Sequence, residues 1–95
     1  MTISGTILTQ LGGSKFIAMV GAHGLLNLET GFQCRFKGSR DANLIRVELD
    51  ADDTYTVKFY KARGLNCPLV MEFTGVYDSQ LRSLFERKTG LATGL

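Results

Sequence analysis

The chain has 95 residues, a length that predicts a single domain over 1–95 with one modest core, burying about 60–65% of the surface its unfolded form exposes. Apolar residues make up 44% of it, enough to argue against disorder, and a formal charge of +2 is too small to point to nucleic acid by itself. No apolar stretch approaches the ~20 residues of a membrane-spanning helix, and residues 1–11 lack the basic start and long apolar run of a secretory leader.

Residues 2–11 place Ile3, Ile7, Leu8 and Leu11 on one stripe of a short helix, weakened by Gly5. Thr2 or Ser4 can cap its start, and Gly12-Gly13 ends it. Residues 15–20 form a mostly apolar run that predicts a buried strand, leading into the turn Gly21-Ala22-His23-Gly24. Residues 25–28 extend as a short strand before the turn Glu29-Thr30-Gly31.

Alternation is clearest from Phe32 to Lys61. Phe32, Cys34, Phe36, Ile45, Val47, Leu49, Tyr55, Val57 and Phe59 fall on one parity, and Gln33, Arg35, Lys37, Arg46, Glu48, Thr56, Lys58 and Tyr60 on the other. Strand side chains alternate with period two, so strands at 32–37, 44–49 and 55–61 turn the first set to a core and the second to the opposite face. Residues 38–43 form a polar loop, Asp50-Ala51-Asp52-Asp53 a tight turn, and 63–68 a second loop before a fifth strand at 69–73. Tyr77, Leu81, Leu84 and Phe85 then lie at i, i+4, i+7 and i+8 of an amphipathic helix, with Arg82, Arg87 and Lys88 suited to its C-terminal end and Gly90 as its stop. The tail 91–95 is expected to be loosely held. The order predicts a four- to five-stranded antiparallel meander sheet with N- and C-terminal helices packed on one face and the other face solvated.

No residue pattern amounts to a catalytic signature, and a non-enzymatic protein without cofactor or metal is expected. His23 is the only histidine, and neither Cys34, facing the core, nor Cys67, before Pro68 in a loop, is placed to work with it. Both cysteines are expected to be free thiols in a reducing cytoplasm. Gly21-Ala22-His23-Gly24 has the GxxG spacing of a phosphate clamp without the flanking helices, and Gly12-Gly13-Ser14-Lys15 lacks the first glycine and preceding strand of a phosphate loop. Asp50, Asp52 and Asp53 could gather a hard cation, but the spacing is not that of an EF-hand and turn-capping is the simpler role. Glu48 and Glu72 could supply a carboxylate pair, with nothing marking either as perturbed.

The polar sheet face remains as a candidate binding face: Arg35, Lys37, Arg46 and Lys58, interrupted by Glu48, with Tyr60 beside them. Cations neutralise phosphates and an exposed aromatic on a sheet can stack a base. The plain alternative is a solvated face on which Glu48 pairs across strands with Arg46 or Lys58.

Three pieces of the chain carry a resemblance: Ile7-Leu8-Thr9-Gln10-Leu11-Gly12-Gly13 followed by Lys15-Phe16-Ile17-Ala18-Met19; Asp53-Thr54-Tyr55-Thr56-Val57-Lys58-Phe59; and Gly75-Val76-Tyr77 through Leu81 and Phe85 to Thr89-Gly90-Leu91. Together they resemble a group of small, mostly uncharacterised proteins of phages and other mobile elements. Such relatives carry an alanine before the final helix's acid, where this chain reads Tyr77-Asp78, a difference confined to the helix start. The matching residues are core, turn and cap positions, so the resemblance implies a fold and a genomic setting in a host cell's cytoplasm, with no catalytic motif to carry over. The expected function is a phage-type binding protein that contacts nucleic acid through the basic sheet face. The alternative is a host-takeover or anti-defence inhibitor, of anti-CRISPR type, that binds a host protein stoichiometrically. Outer strands with unpaired backbone groups also allow a homodimer through an edge.

Overall fold

A computed structural model describes residues 3–93. The elements are α1 (Ile3–Leu11), α2 (Ser14–Val20), β1 (His23–Leu28), β2 (Gly31–Arg35), β3 (Leu44–Leu49), β4 (Tyr55–Tyr60), β5 (Leu69–Val76) and α3 (Asp78–Thr89). The five strands form an antiparallel meander in the order β1-β2-β3-β4-β5, so every connection is short and successive connections alternate between the two ends of the sheet. The expected α+β arrangement is the observed one, with five strands and with three helices in place of two. None of the described helices is long and apolar enough to cross a membrane.

Residues 15–20 are a helix, not the expected strand. Ile17 donates its N–H to Gly13 O (3.1 Å), and Gly21 closes the helix in the left-handed region with φ 63°. Phe16 and Val20, four residues apart, are buried, whereas Ala18 and Met19 are exposed. A strand would have buried Phe16, Ala18 and Val20 together. A short, continuously apolar run fits either period, and here the one-sided core selects the helical one.

Other boundaries shift for local reasons. Ser4 lies inside α1, and Thr2, the other expected cap, lies outside the described residues. His23 opens β1 and does not sit in a turn. Gly31 belongs to β2, where a Cβ would stand 2.3 Å from the Val47 carbonyl oxygen; only glycine lets the two backbones approach so closely. Tyr77 is the N-cap of α3 and is exposed, so it is not part of the buried stripe. It anchors the helix start through its backbone, with Tyr77 N–H donating to Gln80 Oε1 at 3.1 Å and Gln80 N–H to Tyr77 O at 2.9 Å.

The core lies between the helices and the inner sheet face, with Ile7 and Leu11 of α1, Phe16 and Val20 of α2, and Leu81 and Phe85 of α3 all buried against it. Phe85 joins three elements. Its ring meets Phe16 and Phe36 edge-on at 5.1 Å and Phe59 at 6.3 Å, distances at which aromatic pairs add to simple burial. Cys34 belongs to this core, and burial pushes its thiol pKa up to about 12.

The chain after α3 is not loose, contrary to expectation, as far as Thr93. That residue is fully buried; its N–H donates to Glu86 Oε2 (2.9 Å), its hydroxyl donates to the same oxygen (3.1 Å), and it accepts from Arg82 Nε (2.7 Å). These bonds hold the Glu86 carboxyl below its ordinary range, the Thr93 N–H contributing most. Leu91 packs at the edge of the core, close to Gly38.

Candidate functional site

Register arranges the open sheet face in rows. The middle row runs Leu26, Gln33, Arg46, Lys58, Glu72 across the five strands. Beside it runs His23, Arg35, Leu44, Tyr60, Leu69. Arg46 and Lys58 therefore stand directly opposite each other, a like-charge pair that costs stability. Glu48 answers Arg46 along the same strand, at 2.5 Å from its Nε, not across strands as expected. With both side chains more than a third exposed, that ion pair contributes about 0–1 kcal/mol. Lys58 has Glu72 opposite it on β5.

Of the six expected face residues, Arg35, Arg46, Glu48, Lys58 and Tyr60 share the open face. Lys37 does not lie in the sheet, because β2 ends at Arg35. Its backbone N–H donates to Val20 O (2.8 Å), and its aliphatic stem runs past Gly21 at the end of α2. Tyr60 is half-buried, and Leu44, between Arg35 and Tyr60 in register, is 5% exposed although it faces away from the helices. A small apolar patch thus lies beside the cationic row.

A larger pattern comes from the meander itself. The connections at one end, with the strand ends that enter them, carry Arg35, Lys37, Arg40, Lys61 and Arg63 against one acid, Asp41. The opposite end carries Glu29, Glu48, Asp50, Asp52, Asp53 and Asp78, and its connections contain no lysine or arginine. Among the described residues, none of the five cations at the basic end has a side-chain hydrogen bond or ion pair. Arg40, Lys61 and Arg63 were not among the expected site residues. They are far apart in sequence, and the available signal is topological: alternate connections of a meander fall at the same end.

The other candidates resolve into structural roles. The Asp52 carboxylate accepts from Thr54 Oγ1 (2.7 Å) and Thr54 N (3.2 Å), and the Thr54 hydroxyl is the main reason its pKa is lowered. Asp50 Oδ2 accepts from Thr56 Oγ1 at 2.7 Å, and Asp53 takes a positive φ of 65° in the turn. His23 Nδ1 lies 2.9 Å from Gly21 O, which makes that nitrogen the donor. Cys34 is buried and Cys67 exposed, both as free thiols. Among the described residues there is no pocket and no cluster of three potential metal ligands. The geometry offers an open, polar, cation-bearing sheet face with no pocket among the described residues. Comparison with protein-family models, with curated proteins and with solved structures gave no match.

Proposed function

We propose that the protein is a non-enzymatic nucleic-acid-binding module whose basic sheet end and adjoining open face hold phosphates, in keeping with the phage-type setting the sequence suggests. The observation carrying this reading is the segregation of charge. Cations without protein partners collect at one end, and Arg46 and Lys58 are held side by side where opposite charges would be more stable. Phosphate contacts release counterions, so affinity for duplex oligonucleotides falls linearly on a log–log plot against salt, by about 0.9 per phosphate engaged. Fluorescence anisotropy of wild type beside the Arg35→Glu, Arg46→Glu double variant tests it. Wild type binds with a steep salt slope and the variant does not bind while keeping its melting temperature. Binding indifferent to salt, or absent, overturns the reading.

A second reading, a stoichiometric host-protein inhibitor, is favoured by one separate observation: Leu69 and Val70 are exposed on the outer strand β5, beside Tyr60. Apolar side chains next to an unpaired strand edge suit a protein partner. A pull-down from nuclease-treated host lysate separates the two; recovery of one partner at equal stoichiometry, lost in Val70→Lys, supports this second reading.

A further inference from the structure

Beyond β4 the chain projects as a narrow finger before returning as β5. Its base is fixed: Lys61 N–H donates to Pro68 O (3.1 Å), and the Asn43 side chain both donates to Ala62 O (2.9 Å) and accepts from Ala62 N (2.7 Å). Its tip is a two-residue turn closed in both directions, Arg63 N–H to Asn66 O (2.7 Å) and Asn66 N–H to Arg63 O (2.9 Å). Gly64 holds φ 57° at the first central position, the pattern of a type II′ turn, which leaves the second free for any residue. That residue is Leu65, fully exposed and the most exposed large apolar side chain among the described residues.

We propose that this finger is a wedge for duplex nucleic acid, with Leu65 entering a base step while Lys61 and Arg63 hold the flanking phosphates. The inference rests on the reading that the basic end binds nucleic acid. Apolar side chains of this size part stacked bases when a rigid element presents them from the minor groove, and burying one leucine is of the same order as the cost of unstacking one step. The closed tip and pinned base hold the backbone that presents Leu65 before binding, which lowers the entropy lost on association. Asn66 beside it carries an amide able to donate to the minor-groove acceptors of adenine and thymine. An anionic membrane also attracts cations beside a leucine, but one leucine is far too little apolar surface for stable insertion.

The test uses the full chain with duplexes of about 20 base pairs carrying 2-aminopurine at successive positions and a donor–acceptor dye pair at the ends. Wild type raises 2-aminopurine fluorescence at one step and shortens the end-to-end distance. Leu65→Ala binds within about threefold of wild type but abolishes both signals, and Leu65→Phe retains them. If wild type binds with no unstacking at any position, or Leu65→Ala unstacks as well as wild type, the wedge is overturned and phosphate binding stands. If wild type binds no duplex, both fall. Leu65-dependent binding to phosphatidylserine–phosphatidylcholine vesicles, without duplex unstacking, assigns the finger to a lipid surface and overturns the wedge.

Discussion

The two ends of the sheet use charge in opposite ways. At the acidic end the carboxylates build the structure: Asp50 and Asp52 accept hydrogen bonds that close the β3–β4 turn, Asp78 accepts from Ser79 N–H (2.7 Å) at the start of α3, and Glu48 pairs with Arg46. An acid in the first turn of a helix is also favoured by the helix dipole. At the basic end the longer connections are held by other groups: the Asn43 amide and the backbone bond from Lys37 to Val20. The side chains of Arg35, Lys37, Arg40, Lys61 and Arg63 are left out of this bonding. Charge that the fold uses is spent locally; charge that it leaves unpaired is available to a partner.

Substitutions should therefore separate stability from binding. The largest effect is expected from reversing the basic end. Lys37→Glu with Lys61→Glu and Arg63→Glu should lower duplex affinity by about 100-fold or more at low salt, with an unchanged melting curve. A drop in melting temperature matching the loss of binding would erase the distinction between the ends. The reverse holds at Asp50, where Asp50→Ala removes the acceptor of Thr56. This should cost about 1 kcal/mol, roughly 4–8 °C in melting temperature for a domain of this size, with affinity retained.

Acid should act on the carboxylates that carry structure. Asp52 and Glu86 have folded pKa values below their unfolded ones, so their stabilisation is fully present above the ordinary carboxylate range and lost as pH falls through the folded values. Thermal melts across pH 7 to 2 should show this decline, and Glu86→Gln should flatten it; a melting temperature that rises on acidification contradicts the assignment. The smallest effect concerns the thiols. Cys67, in the finger, should alkylate promptly at neutral pH, while Cys34, with its pKa near 12, should react only on unfolding, a difference that mass spectrometry reads as one adduct against two.

Legibility in the sequence followed the same divide. Strands β2 to β4 and helix α3 were readable because each has one buried and one exposed face, and period two or 3.6 then leaves a clear trace. Residues 15–20 were not, since Phe16, Ile17, Ala18, Met19 and Val20 are all apolar and only packing chose the period. Arg35, Arg46, Glu48, Lys58 and Tyr60 could be placed on one face by parity, but parity put Lys37 there too, because it carries no mark of where a strand stops. The basic end was hidden because Arg40, Lys61 and Arg63 meet only through the strand order, and the anchoring of Thr93 depends on Arg82 and Glu86 coming within reach.

The most direct test of the unpaired basic end is the salt dependence of duplex binding, measured for wild type and for Lys61→Glu with Arg63→Glu. Log affinity is expected to fall steeply with log salt in the wild type, and the double variant to have a shallower slope at equal thermal stability. Equal slopes in the two proteins would contradict it.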